Sequence, residues 1–199
     1  MCLEFRRVLF RSKTVAEYVK LAKSDPKYAA LGTLGVGSVA HLTGAWFGSI
    51  EGFAPNSIHY STTSPFPELI GGQYPAIFEA MLPLMGHVRG GKLRTLAISG
   101  NKRHPLMPDV PTFAEAGTPG VDYEQWFGML APARLPQKVG AILGASIAEA
   151  IKDAEVRDRF NRLALDPAFL GPEDYNKRVL SDAARWRKVA ADAGIKPVE

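Results

Sequence analysis

The sequence has one cysteine, Cys2, in 199 residues. A single cysteine forms no intrachain disulfide and no thiolate metal cluster, so neither can hold this chain together. The sequence also lacks an uninterrupted apolar run of about 18 residues, the length that a transmembrane helix needs. A disulfide-stabilised scaffold and a membrane-inserted chain are therefore both excluded.

Charge of one sign is not concentrated in any long segment. The formal net charge is +4, and half of it comes from the first twelve residues, where three arginines accompany one glutamate. Elsewhere acidic and basic residues alternate, as in DAEVRDR at 153–159, which is typical of a solvated helix face. No basic stripe is interleaved with aromatic residues, so we expect no nucleic-acid partner.

Motifs for catalysis and metal binding are also scarce. The four histidines stand too far apart for H-x-x-x-H spacing, and no G-x-S-x-G nucleophile motif is present. We therefore predict no catalytic residue, no metal site and no cofactor. Glu79, at the end of a predicted strand, suits either a general base or a polar contact to a ligand.

The opening segment MCLEFRRVLFRS has neither the apolar core nor the small-residue cleavage site of a secretory signal. Its apolar residues show no periodicity, and a helix start follows at once at Thr14. We predict that residues 1–12 are a non-native leader that replaces a lost N-terminal portion.

From residue 13 onward, helical and strand patterns alternate, which predicts an α/β fold with a largely parallel sheet. Thr14 and Glu17 form a capping box for a first helix, which Pro26 ends. The predicted strands are 28–31, 57–61, 76–79, 93–99 and 123–130. The predicted helices are 39–47, 65–70, 81–89, 136–152, 154–163 and one from Pro172 to Gly194, with a further short helix at the capping box of 112–115.

A glycine-rich loop, GTLGVGS at 32–38, lies between a predicted strand and a predicted helix. Such a turn directs unpaired backbone N–H groups and the positive end of a helix dipole toward one point, where an anion binds. The candidate binding residues are Thr33, Gly35, Val36, Gly37 and Ser38.

Two alternatives exist for this loop. One is a tight turn without a ligand. The other is a dinucleotide site, because residues 35–40 match G-x-G-x-x-A. That fingerprint needs an acidic residue about 20 positions on, and none occurs between Glu51 and Glu68.

A run of hydroxyl residues follows the next predicted strand. Thr62, Thr63 and Ser64 are candidate neutral donors to a carboxylate or to a bridging water. A turn rich in Ser and Thr with no ligand is the alternative. Because ligands of open α/β sheets bind at the carboxyl ends of the strands, two such loops at one edge favour a binding site.

Several segments together resemble one receptor family. They are GTLGVGSVAH (32–41), HYSTTSPFPELIGGQ (59–73), GHVRGGKLRTLAISGNKRHPLMPDVPTFAEAG (86–117) and WFGMLAPARLP (126–136). In order and spacing they resemble the substrate-binding receptors of tripartite tricarboxylate transporters, also called Bug receptors, over residues 13–197. The resemblance implies a type II periplasmic-binding-protein fold with two lobes. Residues 13–105 resemble the central ligand-binding lobe, and residues 106–199 the C-terminal part of an incomplete first lobe.

The same resemblance implies a periplasmic solute-binding protein that captures a small carboxylate, an organic acid or amino acid, and passes it to the membrane subunits of the transporter. It implies no enzymatic activity. The binding residues it implies are the two loops above and Glu79, where the family usually has Asp. The usual Tyr-Lys-Gly-Ser is Tyr-Ser-Thr-Thr at 60–63, which leaves the ligand open. Because the family's first ligand loop lies upstream of residue 13, we expect weak binding and low stability for this chain alone.

Two other functions remain as hypotheses. A nucleotide-dependent α/β enzyme would use the Gly35-x-Gly37 loop, and would need a carboxylate after the second strand. A ligand-sensing domain of a regulator would need a helix-turn-helix partner domain.

Overall fold

A computed structural model describes residues 2–6, 12–60 and 64–196 of the chain. The chain divides into two compact units, one of residues 1–125 and 186–199 and one of residues 126–185. These compact units are not the lobes of the expected fold, which belong to a whole receptor. The boundary that we predict between the two lobes, near residue 105, therefore stays a prediction.

The secondary-structure elements alternate along the first unit, as the sequence predicts. The strands are β1 Cys2–Arg6, β2 Ala30–Thr33, β3 Asn56–His59, β4 Ala76–Glu79 and β5 Leu93–Ile98. The helices are α1 Val15–Ser24, α2 Val39–Glu51, α3 Phe66–Gly71, α4 Met81–Arg89, α5 Gln137–Ala150, α6 Ala154–Arg162 and α7 Pro172–Asp192.

Helix α1 begins and ends where the sequence predicts. The Thr14 side chain accepts a hydrogen bond from the Glu17 N–H at 3.1 Å, which satisfies one of the free donors of the first turn. At the other end Asp25 is extended, and its carboxylate accepts from the Lys27 N–H. The predicted strand at 28–31 starts later than expected, because Pro26–Ala29 form a 3-10 turn before β2.

The sheet has the order β3-β2-β4-β1-β5. Strand β2 pairs in parallel with β3 and with β4, with Thr33 opposite His59 and Gly32 opposite Ile77. This confirms the predicted parallel arrangement for the three strands that carry the candidate loops. Their carboxyl ends therefore lie at one edge of the sheet.

Strand β1 was not predicted, because it lies in the segment interpreted as a leader. It runs antiparallel between β4 and β5, with Cys2 opposite both Glu79 and Ile98. The non-native origin of residues 1–12 stays a prediction.

The core of the first unit is built from aromatic side chains between α1, α2 and the sheet. Phe47 lies 5.6 Å from Phe78 and 5.7 Å from Phe113 between ring centroids, and its ring stacks on Tyr18 at 6.2 Å. All four side chains are at most 1% exposed. Burial of a large apolar side chain contributes about 1.5–3 kcal/mol, so this cluster fixes α2 against the sheet.

Two predicted elements do not form. The capping box of 112–115 makes both its hydrogen bonds, yet the segment is a turn and not a helix. The predicted strand at 123–130 is wrong, because no strand is assigned there and Phe127, Met129 and Leu130 are 72%, 75% and 84% exposed. Its aromatic composition favours a strand, but a strand also needs a neighbour for its backbone hydrogen bonds.

The second unit contains α5, α6 and most of α7. Trp126 and Tyr175 pack edge to face at 5.3 Å, and the Trp126 indole donates to Asp182 at 2.5 Å. None of residues 126–185, all of which the structure describes, is buried.

Across the described ranges of the whole chain, no helix combines the length and apolarity needed to cross a bilayer.

Candidate functional site

The strand ends that lead into the candidate loops lie together at the carboxyl edge of the parallel strands. Thr33, His59 and Glu79 are the last residues of β2, β3 and β4. The Tyr60 N–H donates to the Thr33 carbonyl at 2.9 Å, so β3 stays beside β2 beyond its last ladder pair. The loop at 34–38 then leads into α2, and the turn at 64–65 leads into α3.

The glycine-rich loop has the conformation expected of an anion-binding turn. Gly35 and Gly37 have φ values of 121° and 73°, which residues with a side chain rarely adopt. A Cβ atom at either position would meet no atom within 4 Å, so the space in front of the loop is open. The Ser38 side chain caps α2 by accepting from the His41 N–H at 3.2 Å. The predicted residues Thr33, Gly35, Val36, Gly37 and Ser38 thus form one continuous turn at a helix N-terminus.

Two histidines contact this loop. The Gly37 N–H donates to Nδ1 of His41 at 3.1 Å, and the Thr33 hydroxyl lies 2.6 Å from Nδ1 of His59. The two rings meet edge to face at 4.7 Å. Burial, and then the charge of His59, hold the pKa of His41 below its usual value. His41 is therefore neutral at pH 7, which agrees with its role as a hydrogen-bond acceptor.

The sequence analysis did not assign these histidines to the site. A weak signal exists for His41, since it follows Gly37 by four residues and so faces the loop after one helical turn. His59 is placed by the register of β2 and β3, which the sequence does not show.

Glu79 is buried with an incomplete set of partners. Its side chain is 8% exposed, and Oε1 accepts from the Ala80 N–H at 2.7 Å. Oε2 has no hydrogen-bond partner within the described part of the chain. Burial raises the pKa of this carboxyl, and the Ala80 N–H opposes the rise. A buried oxygen without a partner costs free energy, so the site offers a position for a donor from a ligand.

The hydroxyl run is only partly described. Thr62 and Thr63 lie outside the described residues. The Ser64 hydroxyl accepts from the Phe66 N–H at 3.4 Å, which is the local turn contact of the alternative interpretation. Its role in binding stays a prediction.

Two tyrosines join this turn to β2. The Tyr74 ring packs against Gly32, where a Cβ atom would lie 2.5 Å from the ring, and its hydroxyl donates to the Pro65 carbonyl at 2.7 Å. Tyr60 donates its hydroxyl to Glu68 on α3, and burial together with this bond raises the pKa of Tyr60 to about 12. These side chains thus join the turn at 64–65 and α3 to β2 and to the end of β3.

A family model described as "Tripartite tricarboxylate transporter family receptor" matches residues 6–195. The chain belongs to this family. Protein BugT of Bordetella pertussis is 32% identical over 175 residues, which cover 87% of this chain and 54% of that protein. The chain therefore spans about half the length of this curated relative.

Two solved structures share the fold. A Rhodopseudomonas palustris protein, Rpa4515 with adipate, is 27% identical with a TM-score of 0.87, over 99% of this chain and 66% of that chain. MatC from Rhodopseudomonas palustris with bound malate is 28% identical with a TM-score of 0.79, over 94% and 65%. The α/β architecture predicted for this receptor chain is thereby confirmed.

The receptor chain shows no site for a metal ion in residues 2–6, 12–60 and 64–196, where no three His, Cys, Asp or Glu side chains come together. The polar groups at the sheet edge are instead backbone N–H groups and hydroxyls, which donate, together with two imidazoles and one carboxyl. Such a set suits a small anionic organic ligand with one further polar group.

Proposed function

We propose that this chain forms the carboxylate-binding part of a periplasmic receptor, which captures a small organic acid or amino acid for the membrane subunits of a tripartite tricarboxylate transporter and catalyses no reaction. The observation that carries the proposal is the open turn of Gly35–Ser38 at the N-terminus of α2. Family membership supports it, as do two structural neighbours, one with adipate and one with bound malate.

The turn supplies the anionic contact. The first N–H groups of a helix have no intrahelical acceptor, and the helix dipole adds a partial positive charge at the same point. Because Gly35 and Gly37 have no side chain, a carboxylate can approach the backbone closely. Neutral donors hold the charge without a buried countercharge, which permits release when the lobes of a receptor open.

Glu79 supplies the second contact. Its Oε2 lacks a partner within the described residues, so a hydroxyl or ammonium group of the ligand would satisfy it. An unmodified dicarboxylate presents no such donor. We therefore propose that the receptor prefers small hydroxy or amino diacids to plain diacids of the same length.

The nucleotide alternative gains no support at this edge. Strand β3 ends at His59, whose Nδ1 contacts Thr33, and the next acidic residue, Glu68, accepts from Tyr60. A dinucleotide site needs a free carboxylate at that strand end for the ribose.

Saturation-transfer NMR on the full chain tests the proposal and detects weak binding. Malate and succinate form a matched pair, since they differ by one hydroxyl, and ATP and NAD represent the alternative. We expect signals from malate that adipate or glutamate can displace, and a weaker signal from succinate. Binding of ATP or NAD with no signal from any carboxylate would refute the proposal.

A further inference from the structure

Within the described residues, Gly37 has the one backbone N–H of the binding turn that donates to a titratable side chain. Its N–H points to Nδ1 of His41 at 3.1 Å. His41 itself is held in place, since its own N–H donates to Ser38 and its ring packs on His59. A ligand carboxylate at this turn would compete with His41 for the same N–H.

An imidazole accepts a hydrogen bond at Nδ1 only while that nitrogen carries no proton. Protonation of His41 places N–H groups on both ring nitrogens, which breaks the bond from Gly37. The amide is then free for the ligand, and the imidazolium adds a positive charge next to an anion. Each effect favours binding of a carboxylate to the protonated form.

We propose, on the basis of the function proposed above, that His41 is a positioning residue that holds the Gly37 amide in the empty site and releases it to a bound carboxylate, so that ligand binding and protonation of His41 are coupled. Reciprocity follows from linkage: ligand must raise the affinity of His41 for a proton by the same factor by which the proton raises the affinity for ligand. Affinity should therefore increase as the pH falls.

Other titratable groups at this edge are few. Strand β2 carries none, β3 ends in His59 with Tyr60 after it, and β4 ends in Glu79. Of these, His59 lies against the ring of His41 and lowers its pKa, after burial as the larger cause. The pKa of His41 therefore lies below its usual value, and the gain in affinity should come as the pH falls through that lowered pKa.

The test is an amide-detected NMR titration of the full chain with malate at several values between about pH 5 and 8. The matched control is His41→Asn, because the Asn side-chain oxygen can accept the Gly37 N–H in place of Nδ1 and does not titrate. Titration of malate itself is common to both proteins and cancels in the comparison. We expect affinity to rise about tenfold toward acid in the unsubstituted chain relative to H41N, the gain of one donor to a charged ligand.

A second variant separates the two histidines. His59→Asn keeps an acceptor beside Thr33 and removes the neighbouring charge, so its pH profile should persist and shift to higher pH. Identical pH profiles for the unsubstituted chain and H41N would overturn the coupling and leave the proposed function intact. Absence of malate shifts at every pH would overturn both.

If H41N does not fold by circular dichroism, the unsubstituted chain decides the question without a variant. The imidazole nitrogens of His41 and the Gly37 amide are then followed against pH with and without malate. We expect the two to titrate together and malate to shift the midpoint upward. A Gly37 amide shift that does not change as His41 titrates would overturn the proposal.

Discussion

Glu79 is a residue for which we propose a binding role that comes at a cost in stability. The folded chain buries its carboxyl with one oxygen unpaired, and burial raises its pKa. A raised pKa means that the folded state holds the proton more tightly than the unfolded state. This contribution to stability is present below the unfolded pKa and is lost as the pH rises through the folded pKa.

Glu79→Gln should therefore stabilise the chain at neutral pH by about 1 kcal/mol. The reason is that an uncharged amide replaces a buried carboxylate whose Oε2 has no partner among the described residues. The gain should shrink as the pH falls toward 4.5, the ordinary glutamate pKa. Urea denaturation at two pH values measures it. The exposed change Glu149→Gln is the control and should have no effect. A destabilised E79Q at neutral pH would show that Oε2 has a partner in the fold.

The same variant should lose the preference for a ligand hydroxyl. We expect the ratio of malate to succinate affinity to fall by about tenfold in E79Q, the value of one hydrogen bond to a charged group. Competition between the two ligands in saturation-transfer NMR gives this ratio directly. An unchanged ratio would remove Glu79 from the site.

At the residue scale, the sequence predicts the residues that a turn requires, and it misses the contacts that depend on the register of paired strands. Gly35, Gly37 and Ser38 are visible because positive φ and helix capping require their residue types. The contact between Thr33 and His59 spans 26 positions and depends on the pairing of β2 with β3, so no local pattern reveals it. For the same reason, the unpaired oxygen of Glu79 is a property of packing alone.

At the scale of elements, the turn before α2 is the part on which we propose that binding depends. The double substitution Ser38→Ala with Gly37→Val removes the helix cap and forces a branched side chain into a left-handed conformation. We expect carboxylate affinity to fall about tenfold to a hundredfold. The initial slope of amide shift against malate concentration measures this even for weak binding.

The matched control is Ser49→Ala, which removes an exposed hydroxyl from the opposite end of the same helix. It should bind as the unsubstituted chain does. Equal slopes for the double variant and the control would exclude the turn as the binding element.

The Tyr74 side chain links β2 to the turn at 64–65. Gly32→Ala would place a Cβ atom 2.5 Å from the Tyr74 ring and displace the hydroxyl that holds Pro65. We expect a loss of about 1–3 kcal/mol from overpacking. Gly86→Ala is the control, since its Cβ meets nothing within 4 Å in α4 and should add about 0.5–1 kcal/mol. Urea midpoints compare them, and a stable G32A would contradict this packing argument.

The predicted elements succeed where local signals are complete. Helix α1 has its capping box and stop signal, and the predicted bounds of β4 and α4 are those of the structure. Strand predictions fail where the outcome depends on a neighbouring strand. The stretch 123–130 has strand composition but no neighbouring strand, whereas β1 pairs on both sides without any strand pattern that the sequence analysis used.

At the scale of the whole molecule, the two units differ in how many of their residues are buried. The first has an aromatic core, and the second has no buried residue in 126–185. Because local opening is cheapest where few apolar contacts exist, amides of α5 and α6 should exchange with solvent at least about tenfold faster than those of β2, β4 and β5. Hydrogen exchange by mass spectrometry checks this. Equal protection in the two units would contradict the described burial.

The fold class of the molecule follows from alternation of helices and strands, and its family from motifs that extend over most of the chain. Neither identifies the ligand, because the contacts of the loop residues depend on the three-dimensional arrangement. The claim that joins all three scales is that the turn of Gly35–Ser38 binds a carboxylate.

Mapping of amide shifts in the full chain on addition of malate tests that claim most directly. The account predicts saturable shifts for the amides of residues 35–41 and for Ala80, next to the Glu79 carboxyl, with none in α5 or α6. Saturable shifts confined to another part of the chain, with the turn of 35–38 unchanged, would contradict it.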